Sequence, residues 1–138
     1  MSDVLIDTGP LVAMLGAGDR DHAWTVERFR ALPPPFLICE PVIAETCFVI
    51  ERRGVSRTVM LERLENGLLR VGLEIGDHCA ALKKLIARYA NVPMSLADAC
   101  LVRMSEVYPD SHIFTLDRDF RFYRRNGRQI IPTLTPER

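Results

Sequence analysis

The stretch from His112 to Phe120, HIFTLDRDF, decides the fold. Its first half is rich in β-branched and aromatic residues, which is typical of a short buried strand. Its second half places Asp117 and Asp119 just past the end of that strand. Ligands of open α/β sheets bind at the carboxyl edge of the strands, so these two acids indicate where a functional site is expected.

Short apolar strands and helices alternate along the rest of the chain. We predict strands at Val4–Ile6, Phe36–Cys39, near Val71 and Leu73, at His112–Thr115 and at Gln129–Ile131. The predicted helices begin near Thr8, at Asp19 or Asp21, at Glu40, at Ser56, at Asp77 and at Ser95. The helix that starts at Glu40 is apolar on nearly every side and is expected to be buried. This alternation predicts an α/β fold with a parallel sheet covered on both faces.

The composition is that of a globular protein. With 138 residues, 48% hydrophobic and 26% charged, the chain suits one domain spanning residues 1–138. Its apolar runs are too short to cross a bilayer, and the start Met1-Ser2-Asp3 lacks the basic residues of a signal peptide, so we expect a cytoplasmic protein without membrane contact. A formal net charge of 0 argues against broad attraction to nucleic acid, but it allows a local basic patch.

The four cysteines lie inside apolar segments and form no Cys-x-x-Cys pair. They are Cys39, Cys47, Cys79 and Cys100. Buried free thiols are therefore expected, rather than a metal-thiolate site or a disulfide framework.

Asp7 directly follows the first predicted strand, where it could cap the next helix or face the sheet edge. The triplet Asp7-Thr8-Gly9 also occurs in aspartic proteases, but those sites need two acid-bearing loops in a mostly β framework. A phosphoryl-transfer site of the haloacid-dehalogenase type needs a second Asp two positions after the first, and Gly9 stands there. Both classes are therefore disfavoured.

Two helices carry further acids. Glu45 lies in the apolar helix, where an ionised carboxylate is costly unless it binds a cation or forms a salt bridge, for example with Arg52 or Arg53. Asp98 follows Ser95 by three positions, which is the spacing of a capping box. Asp98 could therefore serve the helix, the sheet edge, or both.

Convergence of these acids points to a chemistry. Asp117 and Asp119 could each form an Asx turn, but several carboxylates at one edge repel one another unless a hard cation neutralises them. Carboxylate oxygens and water suit Mg²⁺ or Mn²⁺, and such a site can activate water to hydrolyse a phosphodiester bond. The sequence contains no nucleophile elbow, phosphate-binding loop or zinc helix that would indicate another mechanism.

Four segments in the right order carry a resemblance to a known family. They are VLIDTGPLVA, PVIAET, MSLADACLV and TLDRDF, which contain the acids discussed above. In these segments the chain resembles PIN domains, and most closely the VapC-like toxins of toxin–antitoxin pairs. The resemblance implies a three-layer α/β/α sandwich and a ribonuclease that depends on Mg²⁺ or Mn²⁺.

The resemblance also implies roles for individual residues. Asp7, Glu45, Asp98 and Asp117 match the acidic quartet that holds the metal, Asp119 matches a frequent fifth acid, and Thr8 and Thr115 match hydroxyl positions near the site. It further implies an RNA substrate, a small antitoxin that blocks the pocket, and a homodimer. An RNA-processing nuclease without an antitoxin and a noncatalytic RNA- or protein-binding module are the alternatives.

Basic residues cluster just after the acid-bearing strand. They are Arg118, Arg121, Arg124, Arg125 and Arg128, and the aromatic residues Phe120, Phe122 and Tyr123 lie among them. This pattern suits phosphate contact and base stacking, so we expect the first four arginines to bind RNA. A solvated surface whose aromatic side chains face the core is the competing interpretation.

Overall fold

The computed structural model describes residues 2–137. In that range the strands are β1 (Asp3–Ile6), β2 (Phe36–Ile38), β3 (Leu69–Val71), β4 (Ser111–Phe114), β5 (Arg124–Arg125), β6 (Gln129–Ile130) and β7 (Thr133–Leu134). The helices are α1 (Thr8–Leu15), α2 (His22–Ala31), α3 (Glu40–Arg52), α4 (Thr58–Glu65), α5 (Cys79–Arg88) and α6 (Leu96–Val107). No helix of the described range is long and apolar enough to cross a membrane.

The main sheet is parallel and has the strand order β3-β2-β1-β4-β7 among the described residues. From β1 the chain moves outward through β2 to β3, and it then returns to the other side of β1 to form β4. The direction of winding therefore reverses between β1 and β4. Crevices at such reversal points are where ligands bind in open α/β sheets. With helices flanking the sheet, this is the three-layer α/β/α fold that the sequence predicted.

Aromatic side chains hold α2 against the sheet. The ring of Phe114, fully buried in β4, meets Trp24 edge-on at 5.7 Å between centroids and Phe29 at 5.2 Å. Phe29 also contacts Phe36 of β2 at 4.9 Å. Each such ring contributes a large apolar area, and offset or edge contacts add about 0.5–1.5 kcal/mol per pair beyond that area. These contacts fix β4, and with it the acid-bearing segment that follows.

The prediction that the α3 helix is buried on nearly every side was wrong. Its buried residues are Val42, Thr46 and Ile50, which lie on one face, whereas the side chain of Phe48 is 63% exposed. The helix has an ordinary inward stripe, and its apolar residues continue onto the outer surface.

The prediction of four buried thiols was also wrong in part. The cysteines are free, but only Cys39 and Cys100 are buried, while Cys47 is half-buried and Cys79 is exposed. Helices α4 and α5 begin at Thr58 and Cys79 rather than at the predicted caps, Ser56 and Asp77.

The predicted fifth strand pairs elsewhere. Gln129–Ile130 forms an antiparallel hairpin with Arg124–Arg125, and the last strand of the main sheet is Thr133–Leu134. The hairpin turns at Asn126 and Gly127, whose φ angles are 50° and 83°. Asn and Gly tolerate this left-handed backbone better than other residues, so this dipeptide is a hairpin signal.

Candidate active site

A single cavity collects the predicted quartet of acids. It has a volume of about 530 Å³, and its wall includes Asp7, Glu45, Asp98 and Asp117. These residues come from four parts of the chain: the end of β1, helix α3, the first turn of α6 and the segment after β4. Asp7 and Asp117 follow the two strands between which the winding reverses, so the cavity lies where the topology predicts a ligand.

Asp7 lies deepest among the four acids and is 7% exposed. One oxygen, Oδ1, accepts a hydrogen bond from the backbone N–H of Thr8 at 2.8 Å, which caps α1. The other, Oδ2, accepts from the hydroxyl of Thr115 at 2.8 Å. Burial raises the pKa of Asp7 from 3.8 to about 6, against these two hydrogen bonds, and the nearby charges of Asp98 and Asp117 raise it further. The helix cap and the site acid are thus the same carboxylate.

Thr115 links the two strands of the site. Its hydroxyl donates to Asp7, and its oxygen accepts the backbone N–H of Asp117 at 2.9 Å. Asp117 Oδ1 in turn accepts the N–H of Asp119 at 2.9 Å, which begins the 3₁₀ turn of residues 118–121. Both Asp117 and Asp119 are exposed. Asp117 lines the cavity, whereas Asp119 is not among the described residues that line it.

Asp98 serves the helix and the cavity together. Ser95 Oγ accepts the N–H of Asp98 at 3.0 Å, and Asp98 Oδ2 accepts the N–H of Ser95 at 3.3 Å, which completes the predicted capping box. The same oxygen accepts a hydrogen bond from the hydroxyl of Tyr123 at 3.2 Å. Partial burial raises the pKa of Asp98 against these hydrogen bonds, and the charge of Asp117 raises it further.

Glu45 is exposed at the mouth of the cavity. The salt bridge with Arg52 or Arg53 that the sequence allowed is absent, since within residues 2–137 no basic side chain pairs with Glu45. Nearby, the hydroxyl of Thr8 is buried and has no hydrogen-bond partner among the described residues. A buried polar group without a partner is costly, so this hydroxyl is suited to a ligand or water in the cavity.

Three charged residues of the wall were not predicted as site residues: Asp19, Asp21 and Arg53. Asp19 Oδ1 accepts the N–H of Asp21 at 2.9 Å, and Asp19 Oδ2 lies 3.8 Å from Nη1 of Arg53. The loop after α1 was predicted only to end one helix and cap the next. The pair of acids two residues apart was the available signal, but no pattern in the sequence indicated that this loop folds over α3.

The arginines after β4 divide into two groups. Nη1 of Arg124 donates to the carbonyl oxygens of Arg121, Phe122 and Tyr123, and Nη1 of Arg125 donates to the carbonyl of Ser105. Arg118, Arg121 and Arg128 are exposed.

The aromatic residues among these arginines also differ. Phe120 and Tyr123 are fully buried, whereas Phe122 is 57% exposed. Only Phe122 of these three rings is therefore placed to stack on a base, and the other two face the core as the competing interpretation expected.

The carboxylates in the cavity form an oxygen-rich set suited to a hard cation. Burial is the main cause of the raised pKa values of Asp7 and Asp98, but the charge of Asp117 raises both of them further, and a cation would relieve this repulsion. Within residues 2–137, however, no three His, Cys, Asp or Glu side chains are arranged so that they could hold a metal ion by themselves. Any ion bound here would need water or substrate oxygens to complete its coordination.

The fold and the cavity define an α/β protein with a carboxylate-lined site at the reversal point of a parallel sheet. The family model described as the PIN domain matches residues 4–126. This chain belongs to the PIN-domain family.

Two relatives show how the chain compares within that family. It is 26% identical over 117 residues to Ribonuclease VapC26 of Mycobacterium tuberculosis, a match that spans 83% of this chain and 87% of that protein. The crystal structure of VapC20 from the same organism, titled a Sarcin-Ricin loop cleaving toxin, superposes with a TM-score of 0.73 at 21% identity. That superposition covers 85% of this chain and 92% of VapC20 and confirms the fold.

Proposed function

We propose that this protein is a metal-dependent endoribonuclease that hydrolyses RNA phosphodiester bonds, and that it is the toxin of a toxin–antitoxin pair. The observation that carries the proposal is the meeting of Asp7, Glu45, Asp98 and Asp117 in one cavity. The ribonuclease name of VapC26 and the family membership support the choice of RNA as substrate.

Mg²⁺ or Mn²⁺ is the proposed cofactor. Asp7, Asp98 and Asp117 are the proposed principal ligands, because they line one cavity and the charges of Asp98 and Asp117 act on the buried carboxylate of Asp7. Glu45 is the fourth acid of the set and Asp119 an outer one. A bound divalent ion would supply an activated water and stabilise negative charge on the scissile phosphate. An ion held by few protein ligands and several waters is the arrangement that Mg²⁺ prefers.

The side chains of the site have distinct tasks in this proposal. Thr115 keeps Asp7 and Asp117 in register across the two central strands through its hydroxyl. Because the pKa of Asp7 is raised only to about 6, its carboxyl is mostly ionised at neutral pH. The buried hydroxyl of Thr8 can bind a water in the cavity, because it has no partner among the described residues.

The arginines beside Asp117 are the proposed RNA track. Arg118 and Arg121 bound the 3₁₀ turn that directly follows Asp117, and both are exposed. Phe122 offers an exposed ring next to them. Arg124 and Arg125 remain in the proposed set, but their Nη1 atoms already bind backbone carbonyls, so their contribution should be smaller than that of Arg121.

Cleavage of labelled RNA by the purified protein tests the proposal. We expect cutting with Mg²⁺ or Mn²⁺, none with a chelator, and none by an Asp7→Asn variant. Asp110→Asn is the matched control, because Asp110 is an exposed acid directly before β4, at the opposite edge of the sheet. Metal-independent binding of RNA without turnover would contradict the nuclease and favour a binding module.

The toxin role needs its own test. Expression of the wild-type chain in a bacterial host should arrest growth, and the Asp7→Asn variant should not. Co-expression with a small antitoxin that covers the acidic cavity should restore growth. The proposed homodimer would be measured by light scattering on the purified protein.

A further inference from the structure

Tyr123 is a buried residue with an unusual hydrogen-bond partner. Its side chain has no exposed area, and its hydroxyl donates to Asp98 Oδ2 at 3.2 Å. Edge-on contacts fix its ring against Tyr89 at 5.0 Å and against Phe120 at 5.5 Å. The ring therefore has little freedom to turn, and its hydroxyl is held at the back of a site acid.

The hydroxyl is not needed to fill space. A Phe at this position would retain the ring contacts, whereas a buried hydroxyl is costly unless it is hydrogen-bonded. Asp98 is the one acceptor recorded for this hydroxyl among residues 2–137. The hydroxyl of Tyr123 is therefore explained by its hydrogen bond to the carboxylate of Asp98.

The hydrogen bonds to Asp98 are one-sided. The N–H of Ser95 and the hydroxyl of Tyr123 both end on Oδ2, at 3.3 Å and 3.2 Å. The other carboxylate oxygen, Oδ1, receives no hydrogen bond from residues 2–137. Two donors on one oxygen hold the plane of the carboxylate and leave its second oxygen available for another ligand.

We propose that Tyr123 is a positioning residue that fixes the carboxylate of Asp98 so that Oδ1 stays available to a divalent cation. Tyr123 is not part of the cavity wall, so it acts through Asp98 and not on the substrate. Donors behind a metal-binding carboxylate orient it, and their removal commonly weakens metal affinity about 10- to 100-fold. This inference rests on the proposed metal-dependent function.

Tyr89 supplies a matched control. It is also a buried tyrosine, its ring touches that of Tyr123, and its hydroxyl makes one hydrogen bond to another residue of the described range. That hydroxyl accepts the backbone N–H of Arg124 at 2.9 Å and touches no site acid. Tyr89→Phe and Tyr123→Phe thus remove the same group from the same aromatic cluster, and only the second change reaches Asp98.

The experiment measures Mn²⁺ affinity by isothermal titration calorimetry for the wild-type protein, Tyr123→Phe and Tyr89→Phe. Tyr123→Phe should bind Mn²⁺ about 10-fold or more weakly, whereas Tyr89→Phe should keep wild-type affinity. Thermal unfolding without metal should show that both variants fold. In RNA cleavage, a higher Mn²⁺ concentration should restore the rate of Tyr123→Phe, because the lost interaction affects metal binding.

The outcomes separate this inference from the proposed function. Equal Mn²⁺ affinity in Tyr123→Phe and the wild-type protein overturns the role of Tyr123 and leaves the metal nuclease standing. Equal weakening in both variants shows a general effect of the aromatic cluster and also overturns it. Absence of Mn²⁺ binding by the wild-type protein overturns the metal-dependent function and this inference together.

Discussion

Replacement of Asp7 by Asn should change the stability of the metal-free protein in opposite directions at low and high pH. The pKa of Asp7 is raised to about 6 in the folded state, mainly by burial. Below the ordinary pKa of 3.8, the group is protonated in both folded and unfolded chains and carries no penalty. Between the two pKa values the unfolded chain ionises while the folded state keeps its proton, so the free energy of unfolding falls as pH rises. Above about pH 6 the folded state also buries the charge, and the full destabilisation is reached.

The magnitude follows from the two pKa values. A rise from 3.8 to about 6 corresponds to about 3 kcal/mol of destabilisation at pH values above both. Asn removes that penalty but cannot accept hydrogen bonds from both Thr8 and Thr115, which costs about 1 kcal/mol. Asp7→Asn should therefore be more stable than the wild-type protein by about 2 kcal/mol near pH 8, and less stable by about 0.5 kcal/mol near pH 4, where the unfolded chain is already partly ionised.

Urea unfolding in the presence of a chelator measures this difference. Wild-type protein, Asp7→Asn and the exposed-acid control Asp110→Asn would be compared at both pH values. Addition of Mn²⁺ at the higher pH should stabilise the wild-type protein and not Asp7→Asn, which reverses their order. A free-energy difference between Asp7→Asn and the wild-type protein that has the same sign at both pH values would refute the reasoning, because burial would then not control the charge of Asp7.

Three further predictions test other parts of the molecule. Ser95→Ala should lower the free energy of unfolding in urea by about 1 kcal/mol, because α6 loses its cap. The same change should lower Mn²⁺ affinity, because Asp98 loses its capping-box partner. Arg121→Ala should weaken RNA binding and reduce its salt dependence, measured by fluorescence anisotropy, whereas Arg70→Ala, an exposed arginine on the edge strand β3, should not. Phe114→Ala should cost about 3–5 kcal/mol in the same unfolding assay, since its fully buried ring packs against three others, and a cost below about 1 kcal/mol would contradict this account of the core.

The central strands and their acids were predictable because their physical signals are local. A short apolar run followed by an acid, as in Val4–Asp7, indicates a strand that ends at the carboxyl edge of a sheet. Parallel pairing then brings such acids together wherever they lie in the chain. The pairing of Val4 with His112 and of Ile6 with Phe114 produced the meeting of Asp7 and Asp117 that the sequence led us to expect.

Other features could not be predicted because they depend on partners distant in the sequence. Apolar content alone did not show that Phe48 lies on the outer face of α3, since the same residue type fills cores and exposed patches. The strand Thr133–Leu134 is too short to carry a periodic signal. The hairpin at Asn126–Gly127 is different, because its turn signal was present in the sequence and was not used.

Among the site residues too, features with a local sequence signal were predicted, and contacts between distant residues were not. The capping box of Ser95 and Asp98 was predicted from spacing, and the structure confirms it. The hydrogen bond between Tyr123 and Asp98 joins residues 25 positions apart on different elements, and no spacing rule anticipates it. For the same reason Arg53 was considered only as a partner of Glu45, whereas it pairs with Asp19.

The hydrogen bond from Thr115 to Asp7 joins residues 108 positions apart in the chain. During synthesis, β1 emerges early, but its neighbour β4 cannot dock until most of the chain has left the ribosome. A nascent or prematurely terminated chain that lacks Ser111–Phe114 therefore has no Thr115 or Asp117 to complete the pocket. Under the proposed nuclease function, the growing chain would therefore have no complete acidic site until β4 and Asp117 have been made.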